Sequence, residues 1–406
     1  MNSTPQPSIA SKPLDGITVI DLTQIYQGPY ATFLMAKAGA TVIKVEPIMG
    51  EPSRIRAKVS GGASLPMAML NVNKKGITLN LKTSKGKALL KRLVADADIL
   101  VENFTPGVMD RLGLGWEVLH QINPKLIYGS GTGYGLSGPD KDNQAMDVTI
   151  QASSGAMSVT GDPDGPPLRS GSSFIDFLSG VHLYAGIITA LFERTRTGLG
   201  RLVEVSMQET AYPTMASNLG LVYRSKGKVP QRVGNRHGGL ALAPYNVYEA
   251  KDGHIAIVCA TEDHWVKILK SMGREDLVTD ERFSTNKVRV EHIKRTDDFV
   301  EAWTRSITRH ELFKLSKEFG FPAAPVRDLI EVMNDPHMHA RGQLEWFDDP
   351  DLGRVVLPAS PLIIHGAERV KTVASPSLGQ HNEEIYGGKL GMSAQEIQAL
   401  KTEGVI

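Results

Sequence analysis

Across residues 16–130 the chain alternates short apolar runs with amphipathic, helix-length segments, and this alternation constrains the fold more than any other feature. Residues 17–22, 41–46, 77–81, 98–101 and 126–130 are rich in Val, Ile and Leu and read as buried strands. Between them, residues 28–38 predict a helix, with Pro29 near its first position and Gly39 as its stop. Residues 85–95 predict a second helix, and 107–112 and 117–122 two short ones. Strands separated by helices of this size imply βαβ units and a mostly parallel sheet.

A longer helix is predicted over 175–196, ended by Gly198 and Gly200, followed by a strand at 201–205. Residues 223–239, rich in Gly and basic residues, read as a linker. A second α+β unit follows over 244–325, with a strand at 254–259 and helices at 263–272 and 309–319. The tail from residue 360 is Gly-rich and ends in a helix at 394–402. With 406 residues, the chain is long for one core, and two domains are expected.

Charge narrows the partners. Lys and Arg number 45 against 44 Asp and Glu, so nothing calls for nucleic acid or an anionic membrane surface. The single cysteine, Cys259, excludes an intramolecular disulfide and reads as a buried strand thiol. The polar, Pro- and Ser-rich start shows no secretory signal, and the longest apolar stretch, 177–192, carries His182 and falls short of the roughly 20 residues a membrane span needs. A cytoplasmic, soluble protein is the expectation.

Several motifs are weak. Gly133, Gly135 and Gly138 match the dinucleotide-binding G-x-G-x-x-G, but Pro139 to Asn143 follow instead of a helix whose dipole could face a pyrophosphate. His337 and His339 lack nearby carboxylate or Cys partners for a metal, and no metal site is expected. Neither a G-x-S-x-G elbow nor a phosphate-binding P-loop is present. Lys74, Lys75, Lys82 and Arg111 flank βα turns, where open α/β sheets collect ligands, and could hold the phosphates of a nucleotide-bearing molecule or simply form a solvated face.

Asp176 stands out. It is a lone carboxylate among Phe174, Ile175, Phe177 and Leu178, with Gly171, Ser172, Ser173, Ser179 and Gly180 leaving room for a bulky substrate. Apolar surroundings disfavour a carboxylate unless it is partnered or used. Read locally, it is either a helix N-cap or a covalent nucleophile. Gly238 and Gly239, after Asn235, Arg236 and His237, could bring backbone N–H groups to a developing oxyanion or could form a plain interdomain loop.

A further set of segments carries a resemblance over residues 13–406: Gln27-Gly28-Pro29, Ala38-Gly39-Ala40-Thr41-Val42-Ile43-Lys44-Val45-Glu46-Pro47, Asn71-Val72-Asn73-Lys74-Lys75, Val101-Glu102-Asn103-Phe104-Thr105-Pro106-Gly107, Gly161-Asp162-Pro163-Asp164-Gly165-Pro166-Pro167 and Leu378-Gly379-Gln380-His381. In these the chain resembles the class III CoA-transferases, the family of formyl-CoA transferase and the carnitine CoA-transferase-like proteins. The resemblance implies that Asp176 is the nucleophile. It implies CoA contacts at Tyr26, Gln27, Leu79, Lys82, Asn103, Phe104, Arg111 and Asp147. The formyl-CoA transferases carry Gln where Tyr26 stands and Arg where Pro47 stands. The family also holds 2-methylacyl-CoA racemases, whose proton-moving His falls on Met146, and a thioether moves no proton.

The implied fold is α/β: a large domain with a Rossmann-like parallel sheet (1–225, rejoined by 341–406) and a smaller α+β domain (226–340), in interlocked homodimers. The implied substrates are an acyl-CoA, succinyl-CoA being the expected donor, and a small carboxylic acid, expected to be a dicarboxylate such as itaconate, mesaconate or malate. No cofactor beyond CoA as a substrate is implied. Arg169, seven residues before Asp176, and Arg236 with His237 are candidates to hold the remote carboxylate in a bidentate fork. A non-catalytic acyl-CoA-binding protein would need the basic contacts but not Asp176, and a dinucleotide oxidoreductase would alter the fluorescence of its reduced cofactor.

Overall fold

The computed structural model describes residues 12–55, 64–228 and 230–406. They divide into two compact units, one of the described residues up to 150 with 173–210 and 335–406, the other of 151–172 and those of 211–334.

The first unit is built on six parallel strands: β1 (Thr18–Asp21), β2 (Thr41–Glu46), β3 (Lys75–Thr78), β4 (Ile99–Glu102), β5 (Ile127–Thr132) and β6 (Leu202–Ser206). Their order is β3-β2-β1-β4-β5-β6, the doubly wound order. Val19 pairs with Val42 on one side and Ile99 on the other. Successive residues serve opposite faces. Val19, Val42, Ile99, Val101 and Ile127 join Met35, Leu183 and Ile187 in one core cluster. Ile20, Ile43, Leu100 and Tyr128 join Leu90, Leu93, Tyr386 and Leu400 in another. Helices therefore cover both faces of the sheet, which explains why its strands read as continuous apolar runs.

Chain order reverses between β1 and β4, and at such a switch point the loops after the two strands open a crevice at their carboxyl ends. Beneath those loops lies a buried ionic cluster. Asp21 accepts from Lys74 Nζ at 2.9 Å and from Thr32 Oγ1 at 2.7 Å, and Lys44 donates to the Thr23 carbonyl. Burial opposes the charge on Asp21, yet the Lys74 and Lys44 ammoniums hold it down to about 2.

The C-terminal tail closes the β3 edge. His381 N–H donates to Gly76 O at 2.9 Å, Thr78 N–H to Asn382 Oδ1 at 2.9 Å, and Tyr386 OH to Thr78 O at 2.7 Å. A covered edge cannot recruit a foreign strand. A hairpin of β10 (Leu344–Asp349) and β11 (Gly353–Pro358) also belongs to this unit.

The second unit carries an antiparallel sheet of β7 (Tyr245–Ala250), β8 (Gly253–Val258) and β9 (Ala323–Pro325). Trp265, Ile268, Val300 and Leu312 pack on it, and Cys259, just past β8, is buried.

Unit boundaries differ from those expected. Residues 151–172 and 211–225 group with the second unit instead of the first. Arg232 gives one reason: its guanidinium donates to the carbonyls of Asp162, Ser158 and Gly165, binding that loop to the stretch read as a linker. Part of that linker is helical, since a helix runs over Ala216–Ser225. His337 and His339 lie in a short helix, Pro336–Ala340, capped by Asp335. The helix Phe174–Thr197 outruns the apolar stretch noted in the sequence and, by length and composition, is long enough to cross a membrane. Its buried residues, Ile175, Ser179, Gly180, Leu183, Ile187 and Ala190, form one face that packs in the first unit.

Candidate active site

Bare backbone makes the site possible. Along β5 and just beyond it, Gly129, Gly131 and Gly133 alternate, so past Ile127 one face of the strand has no side chains. A Cβ on Gly129 would stand 2.6 Å from Ile187 Cδ1, one on Gly131 2.7 Å from Gln27 Oε1, and one on Gly133 2.1 Å from Ala145 Cβ. Real Cβ atoms do not come so close, so a side chain at any of these positions would force Ile187, Gln27 or Ala145 to shift.

Two helices meet over this face. The first, Gln27–Lys37, begins directly after the β1 loop, in which Ile25 takes a left-handed φ of 66°. The second is Phe174–Thr197, and a Cβ on its Gly180 would come within 2.5 Å of the Gln27 carbonyl. Phe177 fills the junction, stacked on Tyr26 with ring centroids 5.9 Å apart and met edge-on by Tyr30 at 4.9 Å.

A cavity of about 310 Å³ opens where these parts converge, at the carboxyl ends of β1, β4, β5 and β6. Its wall includes Gln24, Ile25 and Gln27 after β1, Asn103 to Pro106 after β4, Gly131 to Gly133, and Met207 after β6. Asp147 and Asp176 complete it and are the only ionisable side chains among the described lining residues.

Asp176 is the third residue of its helix, not the cap, because Ser173 occupies the N-cap position. Of the two local readings of this aspartate, the cap is therefore overturned. Ser173 makes no side-chain capping bond either. The acceptor comes from far off in sequence: Asp147 Oδ2 takes the Ile175 N–H at 3.0 Å and the Asp176 N–H at 3.2 Å. Burial first, and the Asp147 charge second, raise the Asp176 carboxyl from 3.8 to about 7. No hydrogen bond to that carboxylate from a described residue offsets this rise.

Glu102 lies under the same loop. It accepts from Phe104 N–H at 2.8 Å and from Ser130 Oγ, and burial raises it to about 7. Asn103 is tied across the switch point, its Oδ1 accepting the Gln24 N–H at 2.8 Å and its Nδ2 donating to Gln24 O at 3.0 Å. Gln27 is buried, and its Nε2 finds no partner among the described residues.

Five of the candidate site residues thus share one cavity, Gln27, Asn103, Phe104, Asp147 and Asp176, and Met146 lines it beside them. Tyr26 packs beside it on Phe177. Lys82, on the turn after β3, and Arg111, at the end of the short helix Val108–Arg111, are exposed and do not line it. The Leu79 side chain is 2 % exposed and lies in the sheet core, and it does not line the cavity. The loop residues Gln24, Ile25, Thr105 and Met207 were not anticipated. Only the alternate glycines, 129, 131 and 133, signalled in sequence that a strand face is bare.

Arg169, Arg236, His237, Gly238 and Gly239 belong to the second unit. Arg169 is exposed and donates to the carbonyls of Ser170 and Gly171. Arg236 is oriented through Nε, which donates to Asp297 Oδ2 at 2.8 Å, while Tyr248 OH donates to the other oxygen at 2.8 Å. Gly239 N–H donates to His237 Nδ1 at 3.2 Å, and Arg224 donates to Gly239 O at 2.7 Å. With its N–H so engaged, Gly239 is a poorer oxyanion donor than its sequence suggested. Burial, with Arg224 nearby, lowers the His237 pKa.

The sequence profile of CoA-transferase family III matches residues 14–382. The chain is 36% identical to a succinyl-CoA–D-citramalate CoA-transferase of Chloroflexus aurantiacus, over 97% of this chain and 98% of that one. It is 34% identical to a formyl-CoA:oxalate CoA-transferase of Streptomyces avermitilis, over 98% and 100%. Among solved structures, a CaiB/BaiF family protein from Brucella suis superposes with a TM-score of 0.81 at 33% identity, covering 93% of this chain and 99% of that one.

Proposed function

The chain belongs to CoA-transferase family III, and on that premise we propose that Asp176 is the nucleophile that carries CoA from succinyl-CoA to a small dicarboxylate. The observation that carries this reading is the Asp176 carboxyl itself: raised to about 7, without a protein donor among the described residues, and open to a cavity at the switch point. A carboxylate that burial has made more basic is a better nucleophile once ionised, and it stays ionisable near neutral pH.

An Asp176 oxygen attacks the donor thioester carbonyl, and the C–S bond breaks, giving a mixed anhydride and CoA thiolate. The thiolate attacks the Asp176 acyl carbon, releases the donor carboxylate and leaves an aspartyl-CoA thioester. The acceptor carboxylate attacks that thioester, again expelling thiolate and forming a second anhydride. The returning thiolate takes the acceptor acyl group and frees Asp176. One carboxylate replaces another at an acyl carbon, so electrons and protons balance without a redox partner. Gln27, whose buried Nε2 has no protein partner among the described residues, offers a donor for an acyl oxygen.

Dicarboxylate acceptors are supported by the names of the relatives: citramalate and oxalate each carry two carboxylates. Racemisation has less support, because Met146 lines the cavity beside Asp147 where that reaction needs a base. We further infer that the protein acts as an interlocked dimer in the cytoplasm.

The test is a transfer assay with succinyl-CoA against a panel of free acids. Dicarboxylates should exceed monocarboxylates of similar size in kcat/KM by about tenfold or more, the scale of one charge-assisted hydrogen bond. Asp176→Ala should abolish transfer and keep CoA binding. Equal rates with butyrate and malate would sink the dicarboxylate reading, and an active Asp176→Ala would remove the nucleophile.

A further inference from the structure

Asp147 stands out because it is doing two things at the residue that matters. Its side chain is only 8 % exposed, at the start of the helix Asp147–Ser153. One oxygen, Oδ2, takes the N–H groups of both Ile175 and Asp176, so the first turn of the nucleophile's helix is held from 29 residues away instead of by its own N-cap. The resemblance made Asp147 a CoA contact. Its placement fits another role.

We propose that Asp147 is a positioning residue that fixes the turn bearing Asp176 and whose charge favours acylation of the Asp176 carboxylate. The proposal rests on the transferase reading. Before reaction two carboxylates share the cavity, and each repels the other. In the anhydride and in the aspartyl thioester Asp176 is neutral, and the repulsion is gone. An interaction that raises the starting state and is absent from the intermediate lowers the cost of reaching it. A cap made from Ser173 would fix the same turn but supply no charge.

Among the described residues that line the cavity, these two aspartates are the only ionisable side chains. The Gln27–Lys37 helix presents Gln27 and the phenol of Tyr30, the loop after β4 presents Asn103, and β5 presents Thr132. Glu102, below that loop, turns its carboxylate to Ser130 and the Phe104 N–H. Asp147 is also the charge that contributes to the raised Asp176 pKa, after burial.

Asp147→Asn and Asp147→Ala separate the two roles. The amide of Asn keeps an acceptor for both N–H groups and removes the charge. In Asp147→Asn the acid limb of the kcat/KM profile should move to lower pH by about one unit, because removing a like charge eases ionisation of Asp176. At pH 8 the fraction of enzyme trapped as aspartyl-CoA thioester, read by intact mass, should fall about tenfold, the equivalent of that unit. KM for the donor should be unchanged. Asp147→Ala should show the same shifts with a lower melting temperature.

An unmoved acid limb with an unchanged thioester fraction overturns the proposal. So does a rise in donor KM alone, which returns Asp147 to CoA contact. If the wild-type protein transfers CoA to no acid, the transferase reading fails instead. The Asp147 effect then remains readable without turnover. The pH at which Asp176→Asn stops altering unfolding free energy should drop in the Asp147→Asn background, and a fixed value refutes the coupling.

Discussion

Asp176 and Asp21 are aspartates of the same unit whose surroundings drive them in opposite directions. Burial, with the Asp147 charge, raises Asp176 from 3.8 to about 7; at Asp21 burial is outweighed by the Lys74 and Lys44 ammoniums, which hold it at about 2. The linkage signs follow. A folded pKa above the unfolded one means that ionised Asp176 costs stability: nothing below pH 4, progressively more between 4 and 7, and a constant amount above. Asp176→Asn should therefore unfold at higher urea than wild type at pH 8, by on the order of 2–4 kcal/mol, and like wild type at pH 3.5. A gain that persists at pH 3.5 would mean that the carboxyl is not the cause. Asp21 has the reverse sign: its contribution is present above 3.8 and disappears as pH falls through 2. Removing its cation should cost far more than any surface pair. Lys74→Met removes the cation bonded directly to a buried carboxylate, leaving only the Lys44 charge to compensate it, and should lower unfolding free energy by ~3–5 kcal/mol in urea titrations at pH 7. A loss below ~1 kcal/mol, typical of exposed pairs, would show that water reaches Asp21.

The long helix shows how the element scale divides into legible and illegible parts. Its extent, predicted as 175–196 and found as Phe174–Thr197, followed from the spacing of its apolar residues and from Gly198, which takes the left-handed C-cap at φ 71°. Its cap did not, because Asp147 is distant in sequence and a long-range hydrogen bond leaves no local pattern. The β1–β5 strands were legible as apolar runs, since both faces of each are largely buried, whereas β6 at the sheet edge is mostly exposed or half-buried. The short helices Leu65–Asn71, Leu329–Met333 and Pro336–Ala340 were not, because five to seven residues fix no periodicity. Their signals are the caps Ser64, Asp328 and Asp335, which make sense only with the backbone in view. Close approach is the one packing feature written plainly in the residues, as glycine. Gly180→Ala places a methyl 2.5 Å from the Gln27 carbonyl, so the two helices must part. Loss of ~1–3 kcal/mol is expected from such overpacking, with a fall in kcat, because the Gln27 end of the cavity moves with the helix. Full activity in Gly180→Ala would show that the helix contact does not set the site.

At the scale of the whole chain, the sequence order was the part hardest to read. Alternating strands and helices pointed to the parallel sheet, and the second unit was visible from its own strand and helices. What could not be read is that the chain leaves the first unit at 151–172, returns, leaves again at 211 and comes back at 335. Such crossings depend on contacts between distant residues, such as Arg232 with the 158–165 carbonyls, and not on composition. The C-terminal return also has a structural purpose. Asn382 serves Thr78 twice, accepting its N–H at 2.9 Å and donating to its Oγ1 at 2.8 Å, and Tyr386 closes the Thr78 carbonyl. All three bonds are buried, so each group left behind by a mutation pays its desolvation in full. Asn382→Ala with Tyr386→Phe should therefore lower the stability of the first unit by ~2–5 kcal/mol, from ~1–3 kcal/mol per orphaned group, less than additively because all three bonds meet at one residue. It should also free the β3 edge to pair with other chains, so the variant should aggregate at temperatures where the wild type stays dispersed. Trp265 lies in the core of the second unit, so its emission should hold its wild-type transition if the damage is local. A double variant with wild-type stability and no aggregation would show that the tail merely rests on β3.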